Sequence, residues 1–163
     1  MMNRFGIDFG AMRALVAISN KQLAQYIWHF LMDYGAHKVQ VVHHSKDAVS
    51  AMASHEFTHF FVGHHLEQFG GVDFARFIRM NSGPMSEAPI LLIVSNPDRE
   101  KVLECRDAGV NEIMSAPING LQFGKHLAHM SADTREFVRA SAYIGPDRRR
   151  AGDQAYKGTD RRR

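Results

Sequence analysis

The sequence predicts an α/β fold: a doubly wound parallel sheet of five strands with helices on both faces. Between residue 13 and about residue 130, apolar runs of strand length alternate with helical patterns, which is typical of parallel sheets covered on both sides. The chain has 163 residues, of which 45% are hydrophobic, so one core is sufficient and no second domain is required.

The elements can be justified in chain order. A strand at 14–18 leads into an amphipathic helix at 21–34, whose apolar face includes Leu23 and Ile27 and which Gly35 ends. A second strand at 39–42, a short helix at 47–52 and an aromatic third strand at 58–62 follow. Pro89 opens the fourth strand, Pro97 marks the start of a helix, and a short fifth strand precedes the last helix; these elements are predicted at 89–94, 98–108, 112–114 and 119–130.

The run from Ala108 to Ile118, AGVNEIMSAPI, resembles a fingerprint of bacterial response-regulator receiver domains, the CheY-like family, which reads roughly AGaneylvKPi. The resemblance covers residues 13 to about 130. It implies the strand order 2-1-3-4-5 and a cis peptide bond between Ala116 and Pro117. It also implies that helix 98–108, strand 112–114 and helix 119–130 form the face through which partners bind.

The residues that carry phosphotransfer in this family are replaced. Ile18 and Ser19 stand where the family has two metal-binding acids, and Gly63 stands at the phosphoacceptor aspartate. Magnesium requires oxygen ligands, and phosphoryl transfer depends on positioning and charge neutralisation. We therefore expect a pseudoreceiver with no catalytic residues, no metal and no cofactor.

Two further family positions also differ. Counting back from Gly109, the expected hydroxyl residue falls on Val94, with Ser95 following on the opposite side of the strand. Ala116 replaces the lysine that contacts the phosphorylated aspartate. Ile113 stands where the family often has a switch aromatic, so phosphorylation-coupled ring rotation is not expected.

Four histidines, in two pairs, follow predicted strand ends: His43, His44, His64 and His65. Histidine is a common metal ligand and titrates near neutral pH, so a metal site or a pH sensor is one interpretation. No carboxylate or cysteine stands at ligand spacing beside them, which favours solvated loop residues or local hydrogen bonds instead.

The C-terminal segment contains an internal repeat, because Tyr143 to Arg150 (YIGPDRRR) is echoed by Tyr156 to Arg163 (YKGTDRRR). Residues 144–163 carry seven basic and three acidic side chains, a net charge of +4, which leaves −1 for the rest of the +3 chain. The body therefore offers no electrostatic case for nucleic-acid binding. We expect an N-terminal arm at 1–12, a receiver-like domain at 13–131, a connector at 132–143 and a flexible tail at 144–163.

The candidate binding residues share an arginine fork or an aromatic ring, and they are Tyr143, Arg148, Arg149, Arg150, Arg161, Arg162 and Arg163. The leading hypothesis is a non-catalytic signalling adaptor whose partner is a protein, such as a kinase, a motor or another regulatory component. The alternative is a cyclic di-GMP effector that binds this cyclic dinucleotide through the tail. With one cysteine, no signal peptide, no membrane span and no DNA-binding domain, we expect a cytoplasmic protein. Partner, input signal and oligomeric state stay open.

Overall fold

The computed structural model describes residues 3–149 and contains the predicted five-stranded parallel sheet in the order β2-β1-β3-β4-β5. Its elements are β1 (Arg13–Ala17), α1 (Lys21–Asp33), β2 (Lys38–Val42), α2 (Ser45–Ser54), β3 (His59–Gly63), α3 (Gly71–Met80), β4 (Ile90–Ser95), α4 (Arg99–Asp107), β5 (Glu112–Ala116) and α5 (Gly120–Ser131). The predicted fold class and strand order are confirmed.

The sheet separates two apolar cores, and side chains alternate between them along each strand. Phe61 of β3 joins Ile27 of α1 and Phe123 of α5 on one face. Phe60, its neighbour, packs on the other face with α2, α3 and α4. Phe9 is buried against the rings of α1, so the N-terminal arm covers the first core.

Asparagine and aspartate side chains fix three helix starts. Asn20, Asp98 and Asn119 each accept a hydrogen bond from the backbone N–H three residues later. Gly35 follows α1 with φ +100°, a conformation that suits glycine. Among residues 3–149, no helix is both long enough and apolar enough to cross a membrane.

The prediction of a flexible tail from residue 144 is wrong at its start, because the end of the connector and residues 143–146 form a β-hairpin. Strands β6 (Phe137–Ala140) and β7 (Tyr143–Pro146) pair antiparallel around a two-residue turn. The N–H of Asp147 then donates to the carbonyl of Glu136 at 2.7 Å. The turn, Ser141–Ala142, lacks the glycine or asparagine that usually signals a tight hairpin, so the sequence pattern concealed it. Arg150, Arg161, Arg162 and Arg163 lie outside the described residues.

Candidate functional site

Three of the predicted pocket positions lie together at the carboxyl edge of the sheet, on the side of α1 and α5. Ile18 follows β1, Gly63 ends β3 and Ala116 ends β5, before a cis bond to Pro117, which confirms that prediction. Ile18 is 2% exposed, and a Cβ added at Gly63 would lie 3.4 Å from its Cγ2. The aliphatic side chain of Ile18 therefore packs beside Gly63, the position at which the resemblance implies a phosphoacceptor.

The assignment of the hydroxyl position to Val94 is wrong and is corrected by the sheet register. Val94 is buried in the core beneath α2, α3 and α4, on the face away from Ile18. Ser95 is the register partner of Ala116 and is exposed at the end of β4. The count back from Gly109 erred by one residue, and in a strand an error of one residue changes the face. Ser95 is therefore the hydroxyl residue on the pocket side.

Ser19, which stands where a metal-binding acid is expected, joins three loops through its hydroxyl. Its Oγ donates to the carbonyl of His43 at 2.8 Å and accepts from the N–H of Glu67 at 2.7 Å. The Nδ1 of His43 lies 2.8 Å from the carbonyl oxygen of Ile18, which can only accept, so we assign the ring proton to Nδ1. The loops after β1, β2 and β3 are thus connected directly.

A second hydroxyl strengthens this connection. Ser45, fully buried at the start of α2, donates to the carbonyl of Glu67 at 2.5 Å and accepts from the N–H of Phe69 at 3.0 Å. The carboxylate of Glu67 lies 2.9 Å from the Nδ1 of His44. Buried hydroxyls with both roles satisfied fix the geometry of the groups around them, so the β3–α3 loop has one defined position.

Gly71 holds the start of α3 against the end of β3. A Cβ at Gly71 would lie 2.0 Å from the carbonyl oxygen of Gly63 and 3.1 Å from the Cα of His64. The N–H of Gly71 also donates to the carbonyl of His64 at 3.0 Å. Only glycine permits this contact, which brings the backbone at the start of α3 against the carboxyl end of β3.

The side chains at this edge do not match the ligand set that magnesium requires. Ile18 and Gly63 supply no oxygen, and the Ser19 hydroxyl is already used in two hydrogen bonds. Within residues 3–149, no three histidine, cysteine or acidic side chains are grouped so as to hold a metal ion.

The four histidines of this edge do not form one cluster. His43 and His44 are engaged in the hydrogen bonds described above. His64 lies beneath α4 with its Nε2 3.8 Å from a carboxylate oxygen of Glu104, and its ring is perpendicular to that of His65. The structure therefore divides the histidines between two loops, and the two pairs contact different residues.

The face formed by α4, β5 and α5 carries exposed apolar side chains. Val102 and Leu103 of α4 and Leu121 of α5 are all partly open to solvent. Two grooves, of 520 and 450 Å³, lie on either side of Ile113 in the edge strand β5. Exposed apolar groups beside grooves are typical of protein-binding surfaces.

The tail residues that the structure describes contact other parts of the chain. Arg148 donates to Asp107 at 2.6 Å, and its guanidinium lies 4.0 Å from the ring centre of Tyr143. Arg149 binds Asp147, and its hydrogen bonds lower the pKa of that carboxyl to about 2. Arg148, which was predicted to lie in a flexible tail, therefore contacts the folded body.

Sequence reasoning missed Arg79, a fully buried cation at the end of α3. Its guanidinium donates to the carbonyls of Gly109, Ser86 and Ala88 and to the side-chain oxygen of Asn111, at 2.7 to 3.0 Å. Burial lowers its pKa to about 10. A helical spacing was the available signal, because position 79 shares a face with the apolar positions 72 and 75.

Comparison with solved structures identifies proteins that have the same architecture. The chain is similar to the receiver domain of a signal-transduction histidine kinase from Syntrophus aciditrophicus, with TM-score 0.68 and 14% identity over 80% of this chain and 99% of that chain. The architecture of the present chain is that of a receiver domain. The receiver domain of the sensor histidine kinase PA1611 from Pseudomonas aeruginosa, which contains a coordinated magnesium ion, gives TM-score 0.67 and 19% identity over 75% and 98%.

The chemotaxis protein CheY4 of Vibrio cholerae gives TM-score 0.67 and 22% identity, over 74% of this chain and 99% of that chain. No family model and no curated protein matches the sequence. At these identities the similarity shows the receiver fold, and function must be argued from the side chains.

Proposed function

We propose that this chain is a non-catalytic, phosphorylation-independent signalling protein of receiver fold, a pseudoreceiver that acts by binding a protein in a pathway related to two-component signalling in the bacterial cytoplasm. The observation that carries the proposal is the pair of Ser19 hydrogen bonds, which holds the β3–α3 loop without a metal or a phosphoryl group. Phosphorylation acts as a switch when its added charge orders or releases a segment near the phosphorylated group. Here one uncharged hydroxyl provides the connection.

The residues around Ser19 support the same interpretation. Gly63 offers no side chain to phosphorylate, and Ala116 offers no cation to neutralise a phosphoryl group. The receiver domain of PA1611 coordinates magnesium in its active-site cleft. In this chain Ile18 and Ser19 cannot reproduce that coordination.

The partner surface that we propose is the face of α4, β5 and α5. Leu103 and Leu121 provide apolar contacts there, and the two grooves beside Ile113 provide concave surface. A protein partner such as a kinase or another regulatory component fits this combination better than a small molecule, because the grooves are open and the apolar groups are spread over two helices.

The cyclic di-GMP effector stays the second candidate. Arg148 and Arg149 are bound to Asp107 and Asp147 within the chain, so a dinucleotide would have to replace both carboxylates. That competition weakens binding, since each charge-assisted pair must be broken first.

A pull-down from a lysate of the native cells tests the proposal. Full-length protein should retain a protein partner, and Leu103→Asp with Leu121→Asp should reduce the retained amount at least about tenfold, because charges would replace buried apolar contacts. Met80→Asp, at an apolar position that is 77% exposed on α3, is the matched control and should bind normally. Equal retention by the double variant contradicts the assigned face. A change on adding acetyl phosphate and magnesium contradicts phosphorylation independence.

A further inference from the structure

The hairpin strand β7 rests on a surface made by Arg79, Asp107 and Gly109, which we call the docking site. A Cβ on Gly109 would lie 2.0 Å from the carbonyl oxygen of Ile144, and a Cβ on Gly145 would lie 2.7 Å from the Cα of Gly109. The two backbones therefore touch through facing glycines. A side chain at either position would separate them.

The segment from Tyr143 to Arg150 is the first copy of the repeat, and the segment from Tyr156 to Arg163 is the second. Side chains of the first copy make further contacts at the docking site and within the hairpin. The hydroxyl of Tyr143 donates to the carbonyl of Pro146 at 2.8 Å. Arg148 reaches Asp107 of α4 while its guanidinium stacks on the Tyr143 ring. Asp147, almost fully buried, binds Arg149. Each of these contacts requires the particular side chain that makes it.

The second copy retains every side chain that makes such a contact. At a spacing of thirteen residues, the retained pairs are Ala142 and Ala155, Tyr143 and Tyr156, Gly145 and Gly158, Asp147 and Asp160, Arg148 and Arg161, and Arg149 and Arg162. Within this stretch only two positions differ, Ile144 against Lys157 and Pro146 against Thr159.

The close contacts described above use only the carbonyl oxygens of these two residues. The carbonyl oxygen of Ile144 faces Gly109, and the carbonyl oxygen of Pro146 accepts from Tyr143. Lysine and threonine provide the same carbonyls. If the second copy were docked, the aliphatic stem of Lys157 would take the place of the half-buried side chain of Ile144, because such a stem can cover apolar surface while its ammonium stays in water.

We propose that the docking site is a recognition site for the motif Ala-Tyr-x-Gly-x-Asp-Arg-Arg and that either copy of the repeat can occupy it. The first copy follows β6 after two residues, whereas the second would follow after fifteen. Loop closure therefore favours the first copy by about 20-fold. Because there is one docking site and two copies, the copy that is not docked leaves its arginines for other contacts.

Valine substitutions at two glycines of the full-length protein test whether the second copy can replace the first at the docking site. Gly145→Val, Gly158→Val and the double variant remove one copy, the other copy or both from the docking site. The readout is the solvent exchange of the Nε–H of Arg79, which donates to Gly109 at 2.8 Å and lies beneath the hairpin. Amide exchange in β1 and β3 reports whether the body stays folded.

In Gly158→Val we expect the Nε–H of Arg79 to exchange with solvent at the wild-type rate. In Gly145→Val it should exchange up to about 20-fold faster, because the second copy replaces the first. The double variant should exchange at least about tenfold faster again, because both occupants are lost. Equal rates for Gly145→Val and the double variant overturn the proposal. So does a Gly145→Val rate that rises on dilution, since the second copy would then come from another chain. If valine unfolds the body, the pair Tyr143→Ala and Tyr156→Ala gives the same comparison.

Discussion

The backbone N–H of Glu67 donates to the hydroxyl of Ser19 at 2.7 Å, and this hydrogen bond joins the loop after β3 to the loop after β1. The same hydroxyl donates to the carbonyl of His43. One small uncharged side chain therefore connects three loops at the carboxyl edge of the sheet. Under the proposed function, this connection holds the edge without phosphorylation.

Replacing Ser19 by alanine should lower the free energy of unfolding by about 1 to 3 kcal/mol, because two polar backbone groups lose their partner. The amide of Glu67 should also exchange faster with solvent. Denaturant unfolding and hydrogen exchange measure the two effects. Ser95→Ala, at the exposed end of β4, is the matched control and should change stability by less than about 0.5 kcal/mol. An unchanged Glu67 amide would show that the loop is held by other contacts.

Replacing Arg79 by lysine should cost about 2 to 4 kcal/mol, although the charge is kept. The planar guanidinium reaches four acceptors on two separate segments, and an ammonium cannot reproduce that geometry. Urea unfolding measures the loss. Arg76→Ala on the same helix removes an exposed pair with Asp73 and should stay within about 0.5 kcal/mol of wild type. Similar losses for both variants would contradict a structural role for the buried guanidinium.

His59 should make the protein less stable in mild acid. Burial lowers its pKa from 6.5 to about 4, so the unfolded chain takes up the proton first as pH falls. The contribution of His59 is unchanged above pH 6.5, and stability decreases between pH 6.5 and about 4, by about 3 kcal/mol in total. His59→Gln should remove this dependence in unfolding measured across that range. His65→Gln, at an exposed position, should retain it.

A second acid transition should follow at lower pH. The pKa of Asp133 is lowered to about 2 by its hydrogen bonds with Arg135, so its contribution to stability is lost as pH falls from about 4 to 2. Asp133→Asn should reduce stability at neutral pH and flatten the pH dependence in this lower range. A wild-type profile that is flat below pH 4 would contradict the assignment.

The periodicity of the sequence was sufficient for the strands and helices, because the apolar strands and the glycine after α1 are local signals. The strand order came from the resemblance to receiver domains. The periodicity was not sufficient to predict the side-chain orientation at the carboxyl edge of the sheet. The difference between Val94 and Ser95 is one residue in strand register, and register is set by pairing with β5 rather than by local composition.

The hairpin and the role of Arg79 depend on long-range contacts. Ser141 and Ala142 carry no tight-turn signature, and Phe137 gains its partner only when Arg79 lies beneath it. The hydrogen bonds of Ser19 likewise connect residues that are 24 and 48 positions apart. No single-sequence pattern contains that information.

Amide spectra recorded with beryllofluoride and magnesium distinguish the proposed phosphorylation-independent protein from a receiver domain that is phosphorylated. We expect no shift around Gly63, Ser95 and Ala116, and no adduct by intact mass after incubation with acetyl phosphate. Gly63→Asp alone should give the same result, because Ile18, Ser19 and Ala116 leave the developing charge unneutralised. A conventional receiver domain in the same buffers serves as the positive control. A stoichiometric phosphoadduct, or saturable shifts at this edge in the wild-type protein, would contradict the account.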